Sequence, residues 1–134
     1  MTDSSTLKPG LTGQATVTVT DDLTAAALGS GNVDVYSTPA MIALLEAAAI
    51  NALDGHLEEG QTSVGTSLDV KHTSATPVGM SVQAIAMLKE VDGRRLVFEV
   101  SASDEAEEIG SGIHERFIVN RERFEQRVRD KQVK

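Results

Sequence analysis

The sequence predicts an α+β fold, with an antiparallel sheet wrapped around one long, nearly apolar helix. Three observations predict it. Between Pro39 and Leu53 only Glu46 and Asn51 are polar, so this helix has no wide face for solvent and belongs inside. From Thr62 onward the apolar period changes from 3.6 to two and holds through four consecutive segments, the pattern of strands. The chain has 134 residues, enough for one core, so residues 1–134 are read as one domain.

Taken in order, residues 1–10 are polar, with Ser, Thr, Pro and Gly, and read as a loose lead-in. Gln14 to Thr20 alternates and is rich in β-branched residues, a strand. The segment DDLTAAALGSGN is short and weakly patterned, and its GSGN ends any regular structure. Thr38 suits the N-cap of the long helix, Pro39 its first position and Gly55 its end. Thr62 to Thr73 then places Val64, Thr66, Leu68, Val70 and His72 on one face of a strand. Met80 to Val91 and Arg94 to Ser103 are strands joined at Asp92-Gly93, which favours a type I′ hairpin. Ile109 to Asn120 is the last strand, and Asn120 caps a charged helix, RERFEQRVRDK, with Phe124 and Val128 as its apolar seam. A curved sheet around a central helix is the hotdog arrangement.

Composition narrows the function. The aromatic share is only 3%, so the core must be aliphatic. A net charge of -8 argues against wrapping nucleic acid, and the absence of cysteine excludes disulfides, thiolate nucleophiles and Cys-ligated metal centres. The N-terminus lacks an apolar signal region and the longest apolar run is too short to span a bilayer, so a cytoplasmic protein without membrane association is expected.

Glu46 is the most anomalous residue, a carboxylate between Leu44, Leu45 and three alanines. Either the helix keeps a thin wet edge or a buried Arg there, or the carboxylate is functional, since desolvated titratable groups collect at active sites. His72 points with the core residues of its strand, which suits a structural His or a proton carrier near neutral pH; the hydroxyl-rich loop after it favours display. Thr38 lies beside a helix N-terminus, where free N–H groups favour negative charge. It is eight residues from Glu46, about 12 Å along the axis and about 80° around it, so the two cannot touch within one helix. Gly65 interrupts its strand, as at a bulge or a close backbone approach. Arg116 shares parity with Gly110, Gly112 and His114. The acidic run Asp104 to Glu108 reads as a solvated turn, and no metal site or cofactor is expected.

These positions together resemble the fluoroacetyl-CoA thioesterase family. The matching pieces are TPAMIALLE from Thr38, SVGTSLDVKHTSATPVG from Ser63, VDGRRL from Val91 and EIGSGIHER from Glu108. The resemblance implies a hotdog fold, a homodimer or a tetramer, and hydrolysis of a short-chain acyl-CoA. It also implies a catalytic set of Thr38, Glu46 and His72, with Gly65 and Arg116 at the substrate. Aromatic lid residues of that family have no counterpart in GSGNVDVYS, so selectivity for fluoroacetyl-CoA is not implied. Lys71, Lys89, Arg94 and Arg95 are all candidates for the CoA phosphates. The rival function is a non-catalytic acyl-CoA or acyl-carrier binding module, which would keep the groove without needing His72. A hotdog hydratase would want a helical His that is absent before His56.

Overall fold

The computed structural model describes residues 6–132. Five antiparallel strands, β1 (Thr12–Thr18), β2 (Gln61–His72), β3 (Ser81–Asp92), β4 (Arg95–Asp104) and β5 (Glu108–Asn120), form one sheet in the order β1-β3-β4-β5-β2. A one-turn helix, α1 (Ala25–Leu28), precedes the long α2 (Thr38–Ala52), and α3 (Arg121–Asp130) follows the last strand. Alternation on β3 and β4 turns Val82, Ala84, Ala86 and Leu88, then Leu96, Phe98, Val100 and Ala102, onto the concave face. There they meet Met41, Leu45, Ala48, Ala49 and Ala52 of α2. Tyr36 and Phe98 are the buried aromatics, and the rest of the core is aliphatic. Alanines on both layers let the helix sit low on the sheet. At Gly13 the approach is closest: a Cβ there would collide with the backbone of Ala48 and Ala52.

Several boundaries differ from expectation, each for a local reason. The lead-in is partly structured: residues 1–5 lie outside the described residues, but Leu7 and Leu11 pack on the core and the Gly10 N–H donates to Leu88 O at 2.8 Å. Helix α2 is capped by Ser37, whose Oγ accepts from Ala40 N at 3.2 Å, so Thr38 is the first helical residue and Pro39 the second. The helix ends at Ala52, and Gly55, at φ 81°, turns the chain beyond it. In the β3–β4 hairpin Asp92 pairs with Arg95, leaving Gly93-Arg94 as the loop. Only Gly93 has positive φ there, at 61°, which is the requirement of a type II′ turn rather than I′. Asn120 caps α3 as expected, accepting from Arg123 N at 2.9 Å. The acidic run is a turn built on Asp104, whose Oδ1 accepts from Ala106 N and Glu107 N.

The largest correction concerns β2. Its pairing with β5 shifts between Gly65 and Ser67, so Thr66 is an extra residue and the strand changes parity there. Leu68, Val70 and His72 are half-buried as expected, but Val64 and Thr66 are not on their side. Before the bulge it is Ser63 and Gly65 that face the helix.

Candidate active site

Thr38 and His72 come together because two chain segments run side by side before them. Val35 bridges to Pro77, and the Tyr36 N–H donates to Thr76 O at 2.8 Å, which sets the start of α2 against the end of β2. With Ser37 acting as the cap, the Thr38 hydroxyl is free to meet His72 Nδ1 at 2.8 Å. His72 Nε2 is buried and has no hydrogen-bond partner among the described residues, an arrangement that proteins seldom leave without a use. Burial pulls the His72 pKa below its ordinary value, so the ring is a neutral base at pH 7. Both residues line a cavity of about 320 Å³ whose wall is half apolar, from Ala25, Val33 and Val35, and half hydroxyl-bearing, from Ser30, Thr73 and Ser74. Tyr36, the aromatic of that segment, is turned into the core with its hydroxyl on Ala40 O at 3.1 Å, so it forms wall and not lid.

Glu46 belongs to a second cluster in the middle of α2. Its Oε2 accepts from Arg116 Nη1 at 3.2 Å, and its side chain stays 34% exposed against 4% for Arg116. The helix thus has both a wet edge and a buried arginine at this point, and Glu46 is a paired carboxylate rather than a fully desolvated one. Arg116 is fixed on every side: Nε donates to Ser63 Oγ at 2.8 Å, Nη2 to Ser63 O at 3.0 Å, and Nη1 also to His114 Nε2 at 3.1 Å. Gly65 lies against the carboxylate so closely that a Cβ there would overlap Glu46 Oε2. The bulge is therefore what brings bare backbone to the carboxylate.

His114 and Ser63 are the members to which sequence reasoning assigned no role. His114 is fully buried, stacked on Phe98 with ring centroids 6.2 Å apart. Its Nδ1 meets Ser67 O at 2.9 Å; a carbonyl can only accept, so Nδ1 carries the proton and Nε2 accepts from Arg116. One imidazole thereby ties the bulge to the arginine that holds Glu46. Its position two residues before Arg116, on the same inward parity of β5, was the available signal; Ser63 could be placed only once the bulge was known.

Burial, and then the charge of Arg116, lower the His114 pKa as well. Protonating either ring is easier in the unfolded chain, so the stability that the two contribute is fully present above about pH 6.5 and is lost as pH falls through their lower folded values. Tm is accordingly expected to hold above about pH 7 and to decline below about 6.5. A Tm that stays level between neutral pH and the carboxylate range, read by circular dichroism, would show that neither ring is buried in solution.

The five expected site residues therefore form two groups on one chain, Thr38 with His72, and Glu46 with Gly65 and Arg116. No described contact joins the groups. Residues 19–122 match the model of the fluoroacetyl-CoA-specific thioesterase family. The fluoroacetyl-CoA thioesterase of Streptantibioticus cattleyicolor is 46% identical over 98 residues, which are 73% of this chain and 70% of that protein. A solved structure of a fluoroacetyl-CoA thioesterase matches with a TM-score of 0.86 and 38% identity, covering 92% of this chain and 96% of its own. A hot-dog-like protein from Thermanaerovibrio acidaminovorans matches with a TM-score of 0.82 and 25% identity, covering 92% and 91%. The chain thus belongs to the fluoroacetyl-CoA-specific thioesterase family and is a thioesterase of the hotdog fold.

Proposed function

We propose that the protein hydrolyses a short-chain acyl-CoA to the free acid and CoA, acting in the cytoplasm as a homodimer. The observation that carries this reading is the buried, unpartnered Nε2 of His72, set beside a hydroxyl in a small cavity. Glu46 supplies the carboxylate for the attack, on the thioester carbon itself or through a water whose proton it takes. The Thr38 hydroxyl holds the carbonyl oxygen as negative charge develops, helped by the N-terminus of α2. His72, neutral at rest, receives at Nε2 the proton given up by the water and passes it to the departing CoA sulfur; the new C–O bond replaces the C–S bond, in the direct route through a Glu46 anhydride that a water then opens to the free acid, and no cofactor enters. Gly65 allows the carboxylate its place, and Arg116 orients it. This role for Arg116 is indirect, because its donors are spent on Ser63, His114 and Glu46.

The two separated groups support the dimer. Exposed apolar side chains flank both: Val33 in the cavity with Thr38, and Ile50 one turn beyond Glu46. A second copy laid across a two-fold axis, with its Thr38 end against this chain's Glu46 end, covers all of them twice and completes two sites. The small cavity beside His72, apolar only along Ala25, Val33 and Val35, suits an acyl group of a few carbons.

The test is turnover of an acyl-CoA panel of rising chain length, followed with a thiol-trapping dye. Short chains are expected to be hydrolysed, with His72→Ala slower by about 10²-fold or more when assayed well below its Tm. If no acyl-CoA is turned over, the protein is a binding module instead; if His72→Ala matches an active wild type, His72 takes no part in the reaction.

A further inference from the structure

Thr76 is fully buried, yet it belongs to neither group of site residues. The other buried polar side chains among the described residues have roles already: Thr24 and Ser37 cap helices, and His114 and Arg116 belong to the Glu46 cluster. Thr76 lies in residues 73–80, which join β2 to β3 directly after His72. Its two oxygens serve different neighbours. The hydroxyl donates to Asp104 Oδ2 at 2.8 Å, and the carbonyl accepts from the N–H of Tyr36, two residues before Thr38, at 2.8 Å.

Asp104 opens the acidic run, and that run is less a solvated turn than a set of acceptors for the β2–β3 connection. Asp104 takes the Thr76 hydroxyl, Glu107 Oε2 takes the Ser74 hydroxyl at 2.7 Å, and Glu105 Oε2 takes the N–H of Ser81, the first residue of β3, at 2.8 Å. Just beyond the run, Ile109 O accepts from Thr73 N at 2.7 Å. One turn thus grips the connection at its start, middle and end. Asp104 is itself held in place: Oδ1 accepts from Ala106 N at 2.8 Å and from Glu107 N at 2.9 Å, and its own N–H donates to Glu107 O at 2.9 Å. The Ala106 N–H first, and then the Thr76 hydroxyl, hold its carboxyl below the usual carboxylate range, so it is ionised at neutral pH and its hydrogen bonds are charge-assisted.

We propose that Asp104, acting through Thr76, is a positioning residue for the reaction: the link fixes the entry to α2, which carries Thr38, against the end of β2, which carries His72. The proposal rests on the reading of the chain as an acyl-CoA hydrolase that uses His72. Thr38 and His72 meet at a single 2.8 Å contact. The segments that bring them there join at Thr76 and its neighbour, through Tyr36 N on Thr76 O and the bridge of Val35 to Pro77. A buried hydroxyl needs a partner, and the Asp104 carboxylate supplies it, anchoring Thr76 on one side while its carbonyl holds Tyr36 on the other. Because misplacing reacting groups by about 1 Å can cost about 10²-fold, a residue that touches neither substrate nor His72 can still set the rate.

The experiment compares the wild type with Thr76→Val, which keeps the branched shape and removes the hydroxyl, and with Thr76→Ser, which keeps the hydroxyl. The half-buried Asp104 can take water in place of the lost donor, so the valine variant is expected to fold. Assayed well below its Tm, Thr76→Val is expected to lower kcat on a short acyl-CoA about tenfold with KM within about twofold, and Thr76→Ser to stay within about twofold of wild type in both. Thr76→Val added to Asp104→Ala is expected to slow the enzyme no further, since the same link is cut twice. The His72 ring gives a readout independent of turnover. Burial holds its pKa below the ordinary value, and a loosened connection lets water reach it, so its titration followed by NMR is expected to rise toward about 6.5 in Thr76→Val and to stay in place in Thr76→Ser. Wild-type kcat or an unmoved His72 titration in Thr76→Val, a serine variant as slow as the valine one, or a double variant slower than Asp104→Ala overturns the proposal. If no thioester is hydrolysed by any form, the hydrolase reading fails, and the titration alone decides whether Asp104 and Thr76 set His72.

Discussion

Glu46→Gln is expected to lower kcat on a short acyl-CoA by about 10³-fold while KM moves by less than about threefold. The substitution keeps the side chain's shape, and the amide oxygen can still accept from Arg116 Nη1, as Oε2 does at 3.2 Å. What it removes is the basic, nucleophilic oxygen, which acts only as the reaction proceeds; a loss confined to kcat is the signature of that. The same variant tests the two-chain site. Glu46→Gln and His72→Ala are each expected to be nearly inactive, yet in an equilibrated mixture half the dimers are mixed. If a site takes Thr38 and His72 from one chain and Glu46 from the other, each mixed dimer holds one intact site, and about a quarter of wild-type turnover returns. No recovery on mixing would mean that each chain carries its own complete site, and wild-type kcat in Glu46→Gln would remove the carboxylate from the mechanism.

The fold was legible because its signals are local. Apolar positions change period after Gly55, Asp92-Gly93 marks a hairpin and Asn120 begins a helix; each needs only a few neighbouring residues to be read. The site was legible in residue type and less so in geometry. Thr38 satisfies every local rule for an N-cap, but so does Ser37, and the choice between adjacent hydroxyls depends on His72, 34 residues away in sequence. The parity of β2 failed for a related reason. A bulge adds one residue and moves all later side chains to the other face, and only pairing with β5 reveals that Gly65 faces Arg116 while Ser67 faces Glu115. Glu46 was visible as an anomaly, but its partner was a matter of tertiary contact: Arg116 lies 70 residues further on.

Arg116→Met is the substitution with the largest expected effect on stability. Methionine fills much of the space, so the cost is chiefly electrostatic. Glu46 loses its cation, Ser63 Oγ and O lose their donors, and His114 Nε2 is left buried with nothing to accept from. Removing one member of a buried ion pair destabilises by about 3–5 kcal/mol, and the lower end, about 3, applies because Glu46 is 34% exposed and can be partly rehydrated. For a chain of this length that is a fall in Tm of roughly 10 °C. Activity measured well below the new Tm is expected to fall by about 10²-fold, since the carboxylate is no longer held against Gly65 and misplacement of about 1 Å has that effect. Arg116→Lys separates the two roles. A lysine restores the charge beside Glu46 and so recovers part of the Tm, but a single ammonium cannot reach Ser63, His114 and Glu46 together, and kcat stays low. If the methionine variant melts within about 2 °C of wild type, the pair does not hold the site together. If it melts lower and yet keeps full kcat, Arg116 supports the fold without orienting Glu46.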